Sequence, residues 1–189
     1  MKRNFKAIAI GASAGGFTAL KTILSKLKGD LSATVLIVQH TSPNSGDYMS
    51  KHLDSMSKLK VKEAEEKEKL KPGTAYIAPP NYHLLVEYDE TLSLSVDERV
   101  NFSRPSIDVL FESASDVFGN ALIGIVLTGA SGDGSAGLKR IKDAGGLTVV
   151  QDPRTAEVST MPEAAIAAVG KPDHVLSLED IAKLLNRIC

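Results

Sequence analysis

The feature that most constrains this chain is a glycine-rich loop that directly follows a short apolar run. The run covers Lys6 to Ile10, and the loop covers Gly11 to Gly16 with the sequence GASAGG. Apolar residues then recur at helical spacing from Phe17 to Leu27, which predicts a strand, a sharp turn and a helix. Because glycines accommodate such a turn where larger residues would clash, the turn presents Ser13 at the strand end, beside unpaired backbone N–H groups.

The rest of the chain repeats this alternation of apolar runs and amphipathic segments. Further strands are predicted at 34–39, 61–63, 121–127, 147–151 and around Val175, and further helices at 48–56, 107–118, 134–144, 162–168 and 178–188. Strands that alternate with helices are typical of an α/β protein, here with a three-layer, doubly wound, mainly parallel sheet. A length of 189 residues suits one core, so we expect residues 1–189 to form a single domain.

The middle of the chain departs from the alternation. Three short apolar runs, Ala75 to Ala78, His83 to Val86 and Thr91 to Ser95, are separated by prolines and acidic residues. Short runs so close together are typical of antiparallel strands. We therefore expect all three to form a small meander or hairpin appended to the main sheet.

Two more strand ends carry polar residues of the kind that hydrolases use. His40 ends the second apolar run, and Asp133 lies in a second glycine-rich loop, TGASGDG, from Thr128 to Gly134. The carboxyl ends of parallel strands meet at one edge of a sheet, so Ser13, His40 and Asp133 are expected to converge there. In nucleophilic acyl transfer the serine attacks, the histidine removes its proton and the aspartate orients the imidazole.

Each of these residues also has a plainer interpretation. Asp133 alone suits the N-cap of the following helix, and a lone histidine at a strand end indicates little. The glycine loop at Ser13 could bind phosphate through the same backbone donors. The polar loop from Asp152 to Thr160 is expected either to wall a cleft or to serve as a plain connector.

Composition argues against several classes of function. A net charge of −1 gives no general attraction to nucleic acid or to anionic membranes, and no apolar run is long enough to cross a bilayer. The one cysteine, Cys189, is the last residue, and no pair of histidines has the spacing of common zinc motifs. We therefore expect a cytoplasmic protein without a metal, a cofactor or an internal disulfide.

Six stretches of the chain together resemble a known family. They are Ile8 to Gly16 (IAIGASAGG), Val38 to His40 (VQH), Tyr76 to Pro79 (YIAP) with His83, Arg104 to Phe111 (RPSIDVLF), Leu127 to Gly137 (LTGASGDGSAG) and Met161 to Ala165 (MPEAA). In this order they resemble the catalytic domain of bacterial chemotaxis protein-glutamate methylesterases. The resemblance spans nearly the whole chain.

The resemblance implies a cytoplasmic signal-transduction enzyme that hydrolyses γ-glutamyl methyl esters on chemoreceptor helices and releases methanol. It also implies that many members deamidate receptor glutamines. Ser13, His40 and Asp133 match the positions of the family's catalytic triad. Arg104 and Met161 match positions near the active-site cleft, although Arg104 could instead pair with a surface acid and Met161 could fill the core.

Positions 14 and 130, one in each glycine-rich loop, are candidate oxyanion donors and also differ from the residues common in the family. The backbone N–H groups of Ala14 and Ala130 are the candidate oxyanion donors. The family commonly has threonine at position 14 and methionine at position 130, so the polarity and shape of the cleft are expected to differ here. Family members usually carry an N-terminal receiver domain, and none precedes Ser13 in this sequence. The chain is therefore either an excised fragment or, as we expect, a stand-alone esterase. A separate regulatory protein is a candidate partner.

Two other functions remain open at this point. One is a carboxylesterase or amidase that acts on another protein or on a small molecule. The other is an anion-binding module that uses the two glycine loops without turnover. Serine-dependent hydrolysis would separate the enzymes from the binding module, and substrate scope would separate the two enzymes from each other.

Overall fold

The structure, a computed structural model, describes residues 4–42 and 46–189. Its strands are β1 (Ala7–Ala12), β2 (Thr34–Gln39), β3 (Lys60–Glu63), β4 (Thr74–Ile77), β5 (His83–Val86), β6 (Leu92–Ser95), β7 (Leu122–Val126), β8 (Leu147–Gln151) and β9 (His174–Leu176). Within the described residues, seven strands form one parallel sheet in the order β3-β4-β2-β1-β7-β8-β9. The other two strands, β5 and β6, pair in an antiparallel hairpin.

Helices cover both faces of the parallel sheet. One layer contains α1 (Gly16–Leu24), α2 (Tyr48–Met56) and α6 (Leu178–Ile188), and the other contains α3 (Ile107–Phe118), α4 (Ser135–Asp143) and α5 (Thr160–Val169). Strand β1 shows why: Ile8 and Ile10 belong to the first core and Ala7 and Ala9 to the second. Continuous apolar runs are typical of parallel strands that are buried on both faces. The predicted three-layer α/β sheet is confirmed.

Residues 4–42 and 46–189 contain six α-helices. None of their helices combines the length and the apolar character that crossing a bilayer requires.

Most predicted elements are confirmed, with shifts at their ends. The predicted helix from Phe17 to Leu27 ends at Leu24. Leu27 is nevertheless fully buried, because a turn closed by its N–H and the Leu24 carbonyl, at 3.3 Å, carries it into the core. Apolar spacing therefore identified the buried side chain but not the residue at which the helix ends. The closing strand predicted around Val175 is β9, at the sheet edge.

The prediction for the middle of the chain was wrong for Ala75 to Ala78. This run forms β4, which lies between β3 and β2 and is parallel to both. All four residues of β4 are buried, so packing on both faces outweighed the shortness and the neighbouring prolines that suggested a hairpin. The other two runs do form the hairpin, and Leu84 and Leu92 pack it onto the second core.

The register of the central strands brings three loops together. Ala12 of β1 pairs with Gln39 of β2, and Gly11 of β1 pairs with Val126 of β7. Paired parallel strands end at the same edge of the sheet, so the loops that follow β1, β2 and β7 leave that edge side by side.

Candidate active site

Ser13 lies in the turn between β1 and α1. Its N–H donates to the Thr128 carbonyl at 3.0 Å, and its carbonyl accepts from the Gly16 N–H at 2.8 Å. The turn closes at Gly15, the N-cap of α1, with φ +76°. Residues with a Cβ rarely adopt this left-handed backbone, so glycine there allows the sharp reversal that leaves Ser13 partly exposed.

Two polar side chains that the sequence analysis did not single out hold the serine loop. The Gln39 Nε2 donates to the Ser13 carbonyl at 2.8 Å. The Thr128 hydroxyl donates to the Ala14 carbonyl at 2.8 Å and accepts from the Val158 N–H at 2.9 Å. Both side chains lie inside stretches that carry the family resemblance, which is the signal that could have found them.

His40 begins the loop after β2, which pairs with β1, the strand that ends directly before Ser13. Its backbone N–H donates to the Ala12 carbonyl at 3.0 Å, and its side chain is 14% exposed. Its Nε2 lies 2.8 Å from Oδ2 of Asp133. An ionised carboxylate only accepts hydrogen bonds, so Nε2 carries the proton of neutral His40 and Nδ1 keeps the lone pair of a base.

Asp133 is a buried carboxylate with many donors. Besides His40, it accepts from the Ile107 N–H at 2.6 Å, the Ser106 hydroxyl at 2.8 Å, the Asn101 amide at 3.1 Å and the Asp108 N–H at 3.2 Å. Burial by itself raises the pKa of Asp133, but these bonds, led by that from His40, outweigh burial and hold the pKa below its usual range. Asp133 is therefore anionic at neutral pH.

The plainer interpretation of Asp133 as the N-cap of the following helix was wrong. The N-cap of α4 is Gly134, which has a left-handed backbone and no side-chain bond. Asp133 instead caps α3, since the N–H groups of Ile107 and Asp108 in the first turn of α3 donate to its carboxylate. The positive end of α3 thus stabilises the negative charge that holds His40.

A second buried carboxylate, Asp108, mirrors this arrangement. It lies in the first turn of α3 and accepts from the Gly137 N–H in the first turn of α4 at 2.7 Å. The Asn101 amide donates to Asp108 at 2.8 Å as well as to Asp133. Burial, together with repulsion from Asp133, raises the pKa of Asp108. Neither Asp108 nor Asn101 was predicted from the sequence, because Gly137 lies 29 residues from Asp108 and Asp133 lies 32 residues from Asn101.

Ser13 and His40 occupy adjacent strand ends without a direct hydrogen bond. The residues immediately before them, Ala12 and Gln39, are register partners. Over residues 4–42 and 46–189, the Ser13 hydroxyl has no hydrogen-bond partner. Rotation about one side-chain bond is enough to turn this hydroxyl, and catalytic hydrogen bonds often tighten only when substrate binds.

Both glycine loops offer an unpaired backbone donor beside the serine. The N–H groups of Ala14 and Ala130 have no acceptor among the described residues, and both residues are exposed. The two loops meet at the serine, because a Cβ added to Gly129 would lie 2.8 Å from the Ser13 Cβ. The donors predicted for an oxyanion hole are thus free to bind an oxyanion.

Met161 and Arg104 have different surroundings. The Met161 sulfur packs against Gly129, beside Ser13, and the residue is 1% exposed, so Met161 is a core residue that also backs the site. Arg104 and His40 both line a cavity of about 110 Å³. The Arg104 guanidinium donates to Asn81 Oδ1 and to the carbonyls of Val96 and Asp97. It pairs with no acid in the described chain, which differs from the surface ion pair weighed above.

The loop from Asp152 to Thr160 borders both glycine loops. Its Val158 carbonyl accepts from the Gly129 N–H at 3.0 Å. Its Glu157 side chain lies against Gly15, with the Glu157 Cβ 2.7 Å from a Cβ added there. Of the two expectations for this loop, the wall of a cleft is the one that these contacts support.

Comparisons with known proteins agree with one another. The family profile described as CheB methylesterase matches residues 8–185. A protein of Leptospira interrogans is 56% identical over 185 residues, which cover 98% of this chain and 95% of that protein. The protein-glutamate methylesterase/protein-glutamine glutaminase of Pyrococcus horikoshii is 40% identical over 178 residues, which cover 93% of this chain but 48% of that protein. The crystal structure of the Thermotoga maritima CheB methylesterase catalytic domain has a TM-score of 0.93 and 33% identity, and covers 98% of this chain and 100% of that chain.

Proposed function

The chain belongs to the CheB methylesterase family, and we propose that it is a protein-glutamate methylesterase that hydrolyses the γ-methyl esters of chemoreceptor glutamates. The observation that carries the proposal is the bond of 2.8 Å between His40 and Asp133, at the sheet edge that also presents Ser13. Ester hydrolysis through an acyl-enzyme needs such a base beside a free hydroxyl. Residues 1–189 are proposed to form one methylesterase catalytic domain.

Acylation is the first half of the proposed reaction. The Ser13 Oγ attacks the γ-carbonyl carbon of the ester, and Nδ1 of His40 takes the hydroxyl proton. The carbonyl oxygen becomes an oxyanion that accepts hydrogen bonds from the Ala14 and Ala130 N–H groups. The imidazolium then gives its proton to the methoxy oxygen, the carbon–oxygen bond breaks and methanol leaves. The glutamyl group remains bound to Ser13 as an ester.

Deacylation repeats these steps with water as the nucleophile. His40 removes a proton from water, the resulting hydroxide attacks the acyl carbon, and Ser13 leaves with the proton that His40 returns. The product is the glutamate side chain. Asp133 acts in both halves by holding the imidazole and by stabilising its positive charge, which the lowered pKa of Asp133 favours.

The same site is proposed to deamidate receptor glutamines. The carbonyl carbon and the oxyanion are the same, and His40 would protonate a departing amide nitrogen in place of a methoxy oxygen, so that ammonia leaves. The Pyrococcus horikoshii relative carries both activities in its name.

The cellular compartment and the partners of the enzyme are also proposals. We place the enzyme in the cytoplasm, acting on the methylated cytoplasmic helices of chemoreceptors, without nucleic acid as a partner. Relatives in Pyrococcus horikoshii and Archaeoglobus fulgidus are archaeal, so family membership leaves the bacterial source a prediction. A separate regulatory protein stays a prediction as well.

Methanol release from receptor fragments methylated on glutamate tests the proposal. The native protein should release methanol, and Ser13→Ala should not, under identical conditions. A folded native protein that released no methanol from several methylated receptors would overturn the assignment. Release that Ser13→Ala left intact would overturn the role of the serine.

A further inference from the structure

A two-residue turn between β6 and α3 lies beside the catalytic histidine. Val100 and Ser103 exchange backbone hydrogen bonds of 3.2 and 2.9 Å. The two residues between them, Asn101 and Phe102, have φ of +51° and +62°. Two successive positive φ angles are the mark of a type I′ turn, whose second position normally holds glycine. Here that position holds Phe102, which is 95% exposed.

The fold gives no reason for a phenylalanine at this position. A bulky residue in the left-handed region costs folding free energy, and an exposed ring recovers none of it by burial. Strain that persists at a surface position indicates a use for the side chain other than stability.

The turn is fixed in place from two sides. The Asn101 amide reaches inward to Asp108 and Asp133 at 2.8 and 3.1 Å. Next to the turn, the Arg104 guanidinium donates to the carbonyls of the preceding segment and to Asn81. The turn that carries Phe102 is therefore hydrogen-bonded, through Asn101, to the carboxylate of Asp133.

The turn lies where a substrate bound at His40 would contact it. Phe102, Arg99 and His40 line the same cavity of about 110 Å³. Arg104 also lines it, but its guanidinium makes four hydrogen bonds within the chain. Arg99, in contrast, has no ion pair or hydrogen bond with the residues that the structure describes. Asp97 and Glu98 precede Arg99 but do not line this cavity. The rim beside His40 thus offers an exposed aromatic ring and an unpaired cation.

The proposed reaction requires a macromolecule to touch this rim. The γ-carbonyl of a glutamyl ester is only a few bonds from its Cα, so the polypeptide that carries it must rest on the rim when the carbonyl reaches Ser13. Glutamates near the ester that are already demethylated carry negative charge, which complements Arg99. Apolar side chains between them complement Phe102.

We propose that Phe102 and Arg99 form a docking surface for the receptor segment that flanks the methylated glutamate. This inference rests on the proposed function and adds to it the residues that distinguish a protein ester from a small ester. Phe102 packs on apolar side chains of the receptor segment, and Arg99 pairs with its carboxylates.

Steady-state hydrolysis by two rim variants and a matched control tests the proposal. Phe102→Ser and Arg99→Gln are compared with Tyr88→Ser on two substrates, a methylated receptor fragment and the γ-methyl ester of N-acetylglutamate. Tyr88 is also an exposed aromatic residue, at 81%. It lies in the β5–β6 turn, where Glu90 pairs with Lys6 before β1, at the opposite edge of the sheet.

The expected result is a change in discrimination. Phe102→Ser should lower the ratio of receptor kcat/KM to small-ester kcat/KM by about tenfold, mainly through a higher KM for the receptor. Arg99→Gln should lower it by a few fold at low salt, and by less at high salt, because counterions screen an exposed charge. Tyr88→Ser should leave the ratio unchanged.

Three outcomes would overturn the docking surface. They are an unchanged ratio in Phe102→Ser, an equal loss on both substrates, and a native dimer in sedimentation that dissociates in Phe102→Ser, which would make a second copy of the chain the occupant. Failure of the proposed function is distinct, since the native protein would then show no Ser13-dependent hydrolysis of the receptor fragment.

Discussion

The two glycine-rich loops of this protein are built alike and treat their functional side chains in opposite ways. Each follows a buried central strand, and each ends in a left-handed glycine that caps a helix without a side-chain bond, at Gly15 and Gly134. The Ser13 hydroxyl has no hydrogen-bond partner in the described residues. The Asp133 carboxylate has five donors, counting His40.

The difference fits the role that each group has in the proposed reaction. A nucleophile has to turn toward both its base and its target, so a hydroxyl that no other group holds suits this role. An acid that orients a histidine has to keep its charge and position throughout the reaction, and a buried carboxylate is stable only when its oxygens are satisfied. The same loop geometry thus occurs twice, once with the Ser13 hydroxyl unbonded and once with the Asp133 carboxylate fixed by hydrogen bonds.

The largest effect should separate activity from stability at the free group. Ser13→Ala removes the proposed nucleophile, so esterase kcat should fall by about 10⁵-fold. The free energy of unfolding should change by less than about 0.5 kcal/mol, because no protein bond is lost. Methanol release and urea unfolding measure the two quantities. A destabilisation of several kcal/mol would show that the hydroxyl is held after all.

Replacement of the Asp133 carboxylate should lower both stability and activity. In Asp133→Asn, any orientation of the amide sets a donor against the Ile107 or Asp108 N–H, so the free energy of unfolding should fall by about 2 kcal/mol. Esterase kcat should fall by about 10⁴-fold as His40 loses its orientation and its counter-charge. The same two assays apply, with Ser13→Ala as the control. Unchanged stability would contradict the account of Asp133 as the cap of α3.

A smaller effect should appear where the two loops meet. In Gly129→Ala the new methyl group would overlap the Met161 sulfur and lie 2.8 Å from the Ser13 Cβ, so Ser13 or its wall must shift. A misplacement of that size should lower kcat/KM by about 100-fold. Gly132→Ala is the matched control, since the nearest atom to its new methyl is 3.9 Å away. Equal activities of the two variants would show that the loops are not in tight contact.

The smallest effect is a dependence of stability on pH. The folded pKa of Asp133 lies below its unfolded value of about 3.9, so its contribution is fully present above about pH 5 and is lost as the pH falls through the folded pKa. The difference in unfolding free energy between the native protein and Asp133→Asn should therefore shrink as the pH falls from about 5 through the folded pKa of Asp133. A difference that stayed constant from pH 6 to pH 2.5 would argue against a lowered pKa.

Most elements and the three proposed catalytic residues could be predicted because their signals are local. Apolar runs, helical spacing and glycine loops are properties of neighbouring residues, and parallel strands place successive strand ends at one edge. Strand β4 was misplaced because four residues carry little pattern, and burial between β3 and β2 decided its partner. Asp108 lies inside the stretch from Arg104 to Phe111 that carries the family resemblance, but its buried partners could not be predicted from it. Asn101 lies outside all six stretches and gave no signal.

The sequence by itself determined the α/β alternation, the turn that presents Ser13 and the strand ends that carry His40 and Asp133. Only the tertiary structure decided that Asp133 caps α3 rather than its own helix, and that the turn at Phe102 is tied to it. The physical reason is that hydrogen bonds across 26 or 32 residues of chain form only after the sheet and its helices have packed. Secondary-structure propensity and apolar spacing depend on residues close together in the chain, whereas the partners of a buried charge depend on how the elements pack.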